Sequence, residues 1–161
     1  MRPRATRCDE ALPPFAALRP TRSWREDTEM LQGGCFCGRV RYEVTGIPFD
    51  ETNCHCSICR RTTGAPFVAW FSVRPSELRL ASGTPSRFRS SVNAERSFCG
   101  HCGTQLTFQS DDCSDAIDIT TCSLDHPEAV APRDHTHMSR KLPWVRLSDG
   151  LAQYAQARPS G

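Results

Sequence analysis

Seven of the chain's ten cysteines fall into three tight clusters, and no other feature constrains the fold as strongly. Cys35 and Cys37 form C-x-C, Cys54, Cys56 and Cys59 form C-x-C-x-x-C, and Cys99 and Cys102 form C-x-x-C. Disulfides rarely join cysteines one or two residues apart, because so short a loop strains the bond. In a reducing compartment such spacing reads as metal ligation, not as a disulfide scaffold. The thiolate set favours zinc over magnesium or calcium, and iron also fits it. Cys8, Cys113 and Cys122 stand apart from the clusters and read as bystander thiols.

The spacing also suggests how the clusters combine. Residues two apart on a strand face the same way, so C-x-C can aim both sulfurs at one ion. FCGHCGT, with glycines at 100 and 103, suits a tight knuckle that draws Cys99 and Cys102 together. Joined, Cys35, Cys37, Cys99 and Cys102 make a closed set of four thiolates, the form of a structural zinc site. Cys54, Cys56 and Cys59 are then left with three. Three protein ligands plus a water or substrate is the form of a catalytic zinc site. Spacing alone leaves alternatives open, in which Cys113, Cys122 or a histidine closes the second set, or the clusters exchange partners. Arg60 and Arg61 come directly after Cys59 and are expected to offset the negative charge of three thiolates on zinc, or to attract an anionic substrate.

Outside the clusters the pattern is β. In GRVRYEV the apolar Val40, Tyr42 and Val44 alternate with charged residues, as in a strand with one buried face. PFVAWFSV is almost continuously apolar and predicts a central strand, with Phe67, Trp70 and Phe71 in the core. ELRLASG, the segment around Phe88, TQLTFQ and AIDITTC predict further short strands, with Leu106 and Phe108 sharing one face. Helix is expected only near Ser57 to Thr62 and in SDGLAQYAQ close to the C-terminus. His55 is expected to point away from a metal held by its neighbours, in a supporting or surface position. His135 and His137 read as an ordinary polar strand edge, and Trp144 as a cover for a pocket or for the core. Many short strands with frequent turns give an all-β class of antiparallel sheets.

Residues 1 to 30 differ in kind from the rest of the chain. They are rich in Arg and Pro, mix charge signs and show no periodicity, so a disordered or loosely attached extension is expected, with Met30 as a candidate native start. Residues 31 to 157 form the expected zinc-binding domain. A formal net charge of +2 in 161 residues gives no footing for nucleic-acid binding through phosphates. No apolar run reaches the length of a membrane span, and no signal-peptide core is recognisable, so a cytoplasmic protein without a membrane or nucleic-acid partner is the expectation.

The stretches GGCFCGRVRYEV, CHCSICRRTTGAPF, RSFCGHCGTQL and, more loosely, HTHMSRKLPWVRLSDGLAQY together resemble the glutathione-dependent formaldehyde-activating enzyme (GFA) family, which includes centromere protein V. They cover about residues 31 to 155. The resemblance implies a β-tent fold of antiparallel sheets carrying two zinc ions. It implies structural zinc at Cys35, Cys37, Cys99 and Cys102, and a working zinc at Cys54, Cys56 and Cys59. The implied activity is that of a carbon–sulfur lyase, an S-(hydroxymethyl)glutathione synthase-like enzyme that reversibly joins glutathione, or another small thiol, to formaldehyde or a related aldehyde. The centromere-type relatives imply an alternative, a non-catalytic zinc-stabilised binding module.

Overall fold

The computed structural model describes residues 30–159. The expectations placed on residues 1 to 29, including Cys8, lie outside it. Eleven strands and one α-helix are formed among the described residues. A small sheet is made by β1 (Leu31–Gly34), β2 (Arg41–Val44) and β5 (Leu78–Ser82), in the order β1-β2-β5. The large sheet contains β3 (Phe49–Cys54), β4 (Val68–Val73), β6 (Ser86–Ser91), β7 (Ala94–Phe98), β8 (Gln105–Ser110), β9 (Cys113–Thr120), β10 (Asp134–Thr136) and β11 (Ala152–Gln153). Its order is β11-β10-β3-β4-β9-β8-β7-β6. The helix α1 (Ser57–Thr63) lies between β3 and β4.

The fold is all-β, as the short alternating strands indicate. The main core forms where the small sheet meets one face of the large one. Val40, Tyr42 and Val44 supply the small-sheet side, as their alternation predicts, and Phe71, Val73 and Ile119 supply the other. The Tyr42 hydroxyl meets Ser123 Oγ at 2.7 Å, fastening the two layers. This tie leaves no room beside it. A Cβ on Gly33 would stand 2.4 Å from the Tyr42 oxygen, so the first strand needs glycine there.

PFVAWFSV is almost continuously apolar because β4 is covered on both faces. Phe71 and Val73 point into the main core, while Val68 and Trp70 pack with Cys54 and Cys59 on the opposite side. That opposite side is where the functional site is built.

Three sequence expectations need correction. Leu106 and Phe108 do not share a face, because β8 is irregular against β7 between the pairings Phe98 with Gln105 and Ser97 with Thr107. The extra residue in β8 drops Leu106, 1 % exposed, into the main core and leaves Phe108 on the other side. The segment SDGLAQYAQ is not helical. Asp149 Oδ1 accepts from the Leu151 amide at 3.2 Å, Gly150 takes φ 75°, and Ala152–Gln153 then adds to the sheet edge. Nor is every pair antiparallel, since β10 runs parallel to both β3 and β11.

Candidate metal and active site

The first cysteine group is assembled from two interlocking turns. After β1 the chain folds back, with the Gly38 amide donating to the Cys35 carbonyl at 2.9 Å and the Val40 amide to Cys35 Sγ at 3.3 Å. After β7 a second turn has the Gly103 amide on the Cys99 carbonyl at 2.8 Å. The Phe36 amide donates to Thr104 Oγ1 at 3.1 Å and ties one turn to the other. Cys35 and Cys37 sulfurs are 3.5 Å apart, Cys37 and Cys99 sulfurs 3.8 Å, and all four sulfurs including Cys102 lie within 4.8 Å of one another. A disulfide needs ~2.0 Å, whereas thiolates at ~2.3 Å from a tetrahedral zinc stand roughly 3.8 Å apart. The four therefore fit one ion. Hydrogen bonds from Thr104, through its side chain and backbone, pull the Cys102 thiol down to about 5, toward the thiolate such an ion requires.

The second group is set by the end of β3 and the start of α1. Cys54 closes the strand, and Cys56 caps the helix by accepting the Cys59 amide at 3.3 Å. One helical turn brings Cys59 back to the same point. The three sulfurs lie within 4.8 Å of one another, and among the described residues no fourth Cys, His, Asp or Glu joins them. Cys113 and Cys122 are exposed and belong to neither group. Cys56 is held well below the ordinary thiol range, first by hydrogen bonding from Cys54, then from Cys59, and by the amides of Cys59 and Ile58. Cys54 is correspondingly driven up by its contacts with Cys56 and Cys59 and by burial. Without a cation, three sulfurs this close cannot all ionise; with one they can.

These three sulfurs open onto a cavity of about 700 Å³. Its sheet wall is a cross-strand row. Register pairs Ser72 of β4 with Asp118 of β9, Asp118 with Phe108 of β8, and Phe108 with Arg96 of β7. All four side chains line the cavity, with Trp70 beside them. Ser72 Oγ donates to Asp118 Oδ1 at 2.6 Å. Burial nevertheless pushes the Asp118 carboxyl up to about 6, against the lowering effect of Ser72. Arg96 is only 5 % exposed and extends Nη2 to within 3.6 Å of Cys59 Sγ. At the rim, Arg158 Nε donates to Asp134 at 2.7 Å and the same guanidinium reaches Asp50, so the chain's last described residues close over one side.

Sequence reasoning expected Arg60 and Arg61 to offset the thiolate charge or to attract an anionic substrate. They instead line a separate groove of about 540 Å³ with Pro66, Leu142 and Trp144. Trp144 is 66 % exposed there and does not cover the core. The cation at the cysteines is Arg96, a residue with no local signal, since an arginine in AERSF looks like any solvated strand residue. Trp70 is buried as expected, yet it also faces the cavity.

The histidines meet expectation only in part. His55 does turn away from the cysteine sulfurs, and it is fully buried with its ring 4.9 Å from that of Phe67. His135 is not a polar edge. It is fully buried between His55 and Asp149, with His55 Nε2 to His135 Nδ1 at 2.9 Å and His135 Nε2 to Asp149 Oδ2 at 2.8 Å. Burial first, and then His135, hold His55 down to about 4. The chain Asp149–His135–His55 thus braces the backbone between Cys54 and Cys56 from behind. His137 takes left-handed backbone, φ 55°, and lines the cavity.

The family profile described as glutathione-dependent formaldehyde-activating enzyme matches residues 30–140, more than half the chain and all seven clustered cysteines. The chain belongs to the GFA family. Among GFA-related proteins, a Halomonas elongata protein named "Putative glutathione-dependent formaldehyde-activating enzyme" is 26 % identical over 127 residues, covering 73 % of this chain and 81 % of the relative. An "Uncharacterized lyase" of Schizosaccharomyces pombe is 32 % identical over 77 residues, covering 48 % of this chain and 56 % of that protein. A crystal structure of a Rhodobacter sphaeroides protein, 25 % identical, superposes with a TM-score of 0.50 over 76 % of this chain and 98 % of its own. Among the described residues no helix is long and apolar enough to cross a membrane.

Proposed function

We propose that this protein is a zinc-dependent carbon–sulfur lyase that reversibly adds a small thiol, with glutathione as the leading candidate, to formaldehyde or a related small aldehyde. Two zinc ions per chain are assigned. Cys35, Cys37, Cys99 and Cys102 hold the structural one, and Cys54, Cys56 and Cys59 hold the catalytic one. The carrying observation is the contrast between the two groups. Four sulfurs converge on themselves in one, whereas three converge at the wall of a large cavity in the other.

Cys54, Cys56 and Cys59 would hold the zinc, which would supply the Lewis acidity to keep a neighbouring thiol ionised near neutral pH. The remaining chemistry belongs to the chain. Addition of R–SH to H₂C=O forms a C–S bond, moves the carbonyl π pair onto oxygen, and transfers one proton from sulfur to that oxygen. Asp118, lining the cavity with its carboxyl shifted toward neutrality, is suited to take that proton and return it. Arg96 offsets the net negative charge of three thiolates on a divalent ion. Trp70 and Phe108 give the site apolar walls that exclude water and strengthen these electrostatic contacts. The fold thereby provides what the reaction needs, a thiol and an electrophilic carbon confined together. A cytoplasmic setting, where both thiols and ligand cysteines stay reduced, matches this chemistry.

The test is NMR exchange spectroscopy on ¹³C-formaldehyde with glutathione. Wild-type protein accelerates exchange between the free aldehyde and the adduct, and Cys56→Ala does not. Equal exchange with both proteins, at matched folded concentration, overturns the proposal.

A further inference from the structure

Arg96 has hydrogen-bonding capacity that the charge balance at the cysteines does not use. Its guanidinium carbon lies 4.6 Å from the ring centre of Phe108 and 5.8 Å from that of Trp70. In such cation–π contacts the charge sits against the face of the aromatic ring, which supplies no oxygen or nitrogen acceptor. The guanidinium's hydrogen bonds lie in its plane, and there Nη2 is directed at Cys59 Sγ while Nε and Nη1 have no partner. Buried charged donors without acceptors are costly to leave unmet. Both nitrogens are themselves buried, within a side chain that lines the cavity beside the three sulfurs, so a ligand reaches them through a small movement of that side chain.

We infer that Arg96 forms an oxyanion subsite, so that the cavity selects ligands carrying an anionic oxygen one or two bonds from the carbon that bears their sulfur. A thiol–aldehyde adduct in its alkoxide form, R–S–CH₂–O⁻, belongs to this class, and so does a mercaptocarboxylate. The sulfur joins the three cysteines, and the oxygen accepts from Nε–H or Nη1–H. Arginine suits this task better than lysine, because its donors are fixed in one plane and its charge is permanent. With the adduct as ligand, Arg96 would stabilise the oxygen that gains charge as the C–S bond forms. The inference rests on the reading of the cavity as a thiol site, and its test is chosen to separate the two.

The experiment is isothermal titration calorimetry of the zinc-loaded full chain with thioglycolate and with ethanethiol, zinc content being checked by mass spectrometry after each titration. Wild type is expected to bind thioglycolate at least about tenfold more tightly than ethanethiol, the scale of a charge-assisted hydrogen bond. In Arg96→Met the ratio falls to within about twofold; a loss common to both thiols, from the charge Arg96 contributes at the cysteines, cancels in that ratio. Arg96→Gln, which keeps a planar polar head, replaces the methionine variant if that one does not fold or retain zinc. If neither thiol binds wild type, the thiol-site reading falls and the inference with it. If both bind wild type equally, or the preference survives loss of the guanidinium, the oxyanion subsite alone is overturned, since zinc chelation would then account for any preference.

Discussion

Asp118→Asn tests whether the cavity keeps a carboxylate at a cost to stability. Burial raises the Asp118 carboxyl from 3.8 to about 6, and Ser72 Oγ, 2.6 Å away, offsets only part of the effect. Asp50 raises it further and Arg96 lowers it. Because the folded value is raised, the native state binds the proton more tightly than the unfolded chain. The associated stability is fully present below about pH 4 and is lost as pH rises through about 6. A shift of this size corresponds to ~3 kcal/mol at most, and solvent access through the cavity reduces it to on the order of 1–2 kcal/mol. Asparagine is nearly isosteric, can still accept from Ser72, and does not ionise. Urea denaturation of both proteins, followed by tryptophan fluorescence between pH 4 and 8, should show near-equal stability at the acid end. The asparagine variant should then become the more stable, by about 1–2 kcal/mol above pH 7. Terms common to both proteins, including protonation of the metal-binding thiols, cancel at each pH. A gap that is flat with pH, or that favours wild type at neutral pH, refutes the reasoning. The predicted result pairs with lost exchange activity, the pattern of a residue kept for function against stability.

The geometry makes three further outcomes measurable. If the four-cysteine group holds the proposed structural metal, Cys35→Ala should abolish soluble, cooperatively melting protein; a native-like circular dichroism melt would contradict that role. Zinc release to a colorimetric chelator should be biphasic, with a fast phase from the three-cysteine site on the cavity and a slow phase from the four-cysteine group, and a single rate for both ions would count against an open site. Leu106→Ala should lower the urea-derived stability by about 2–5 kcal/mol, as for a buried core leucine, and a loss below about 1 kcal/mol would mean that the bulge does not place it there.

The strands were legible wherever one face alone is covered. Val40, Tyr42 and Val44 alternate with charged residues, and all three are buried in the core. The helix at Ser57–Thr63 was legible too, since the C-x-x-C spacing needs a turn and Gly64 ends it in left-handed backbone. What local pattern cannot carry is the identity of the partner across a face. Asp118 alternates with Ile117 and Ile119, and the sequence cannot distinguish a face turned to solvent from one turned to a cavity. Phe108 was misassigned because a single extra residue at Leu106 reverses every subsequent side chain. His135 looked like a polar edge because its partners, His55 and Asp149, lie 80 and 14 residues away.

The sequence by itself determined the candidate metal-ligating cysteines and the fold class, because cysteine spacing and two-residue alternation act over a few residues. Tertiary structure decided which cysteines meet, that three of them face a cavity, and that Arg96 is the cation beside them. Those facts depend on strand register and on contacts such as Arg96 with Cys59, 37 residues apart. Such contacts are set by packing once the sheets close, and no short window of sequence records them.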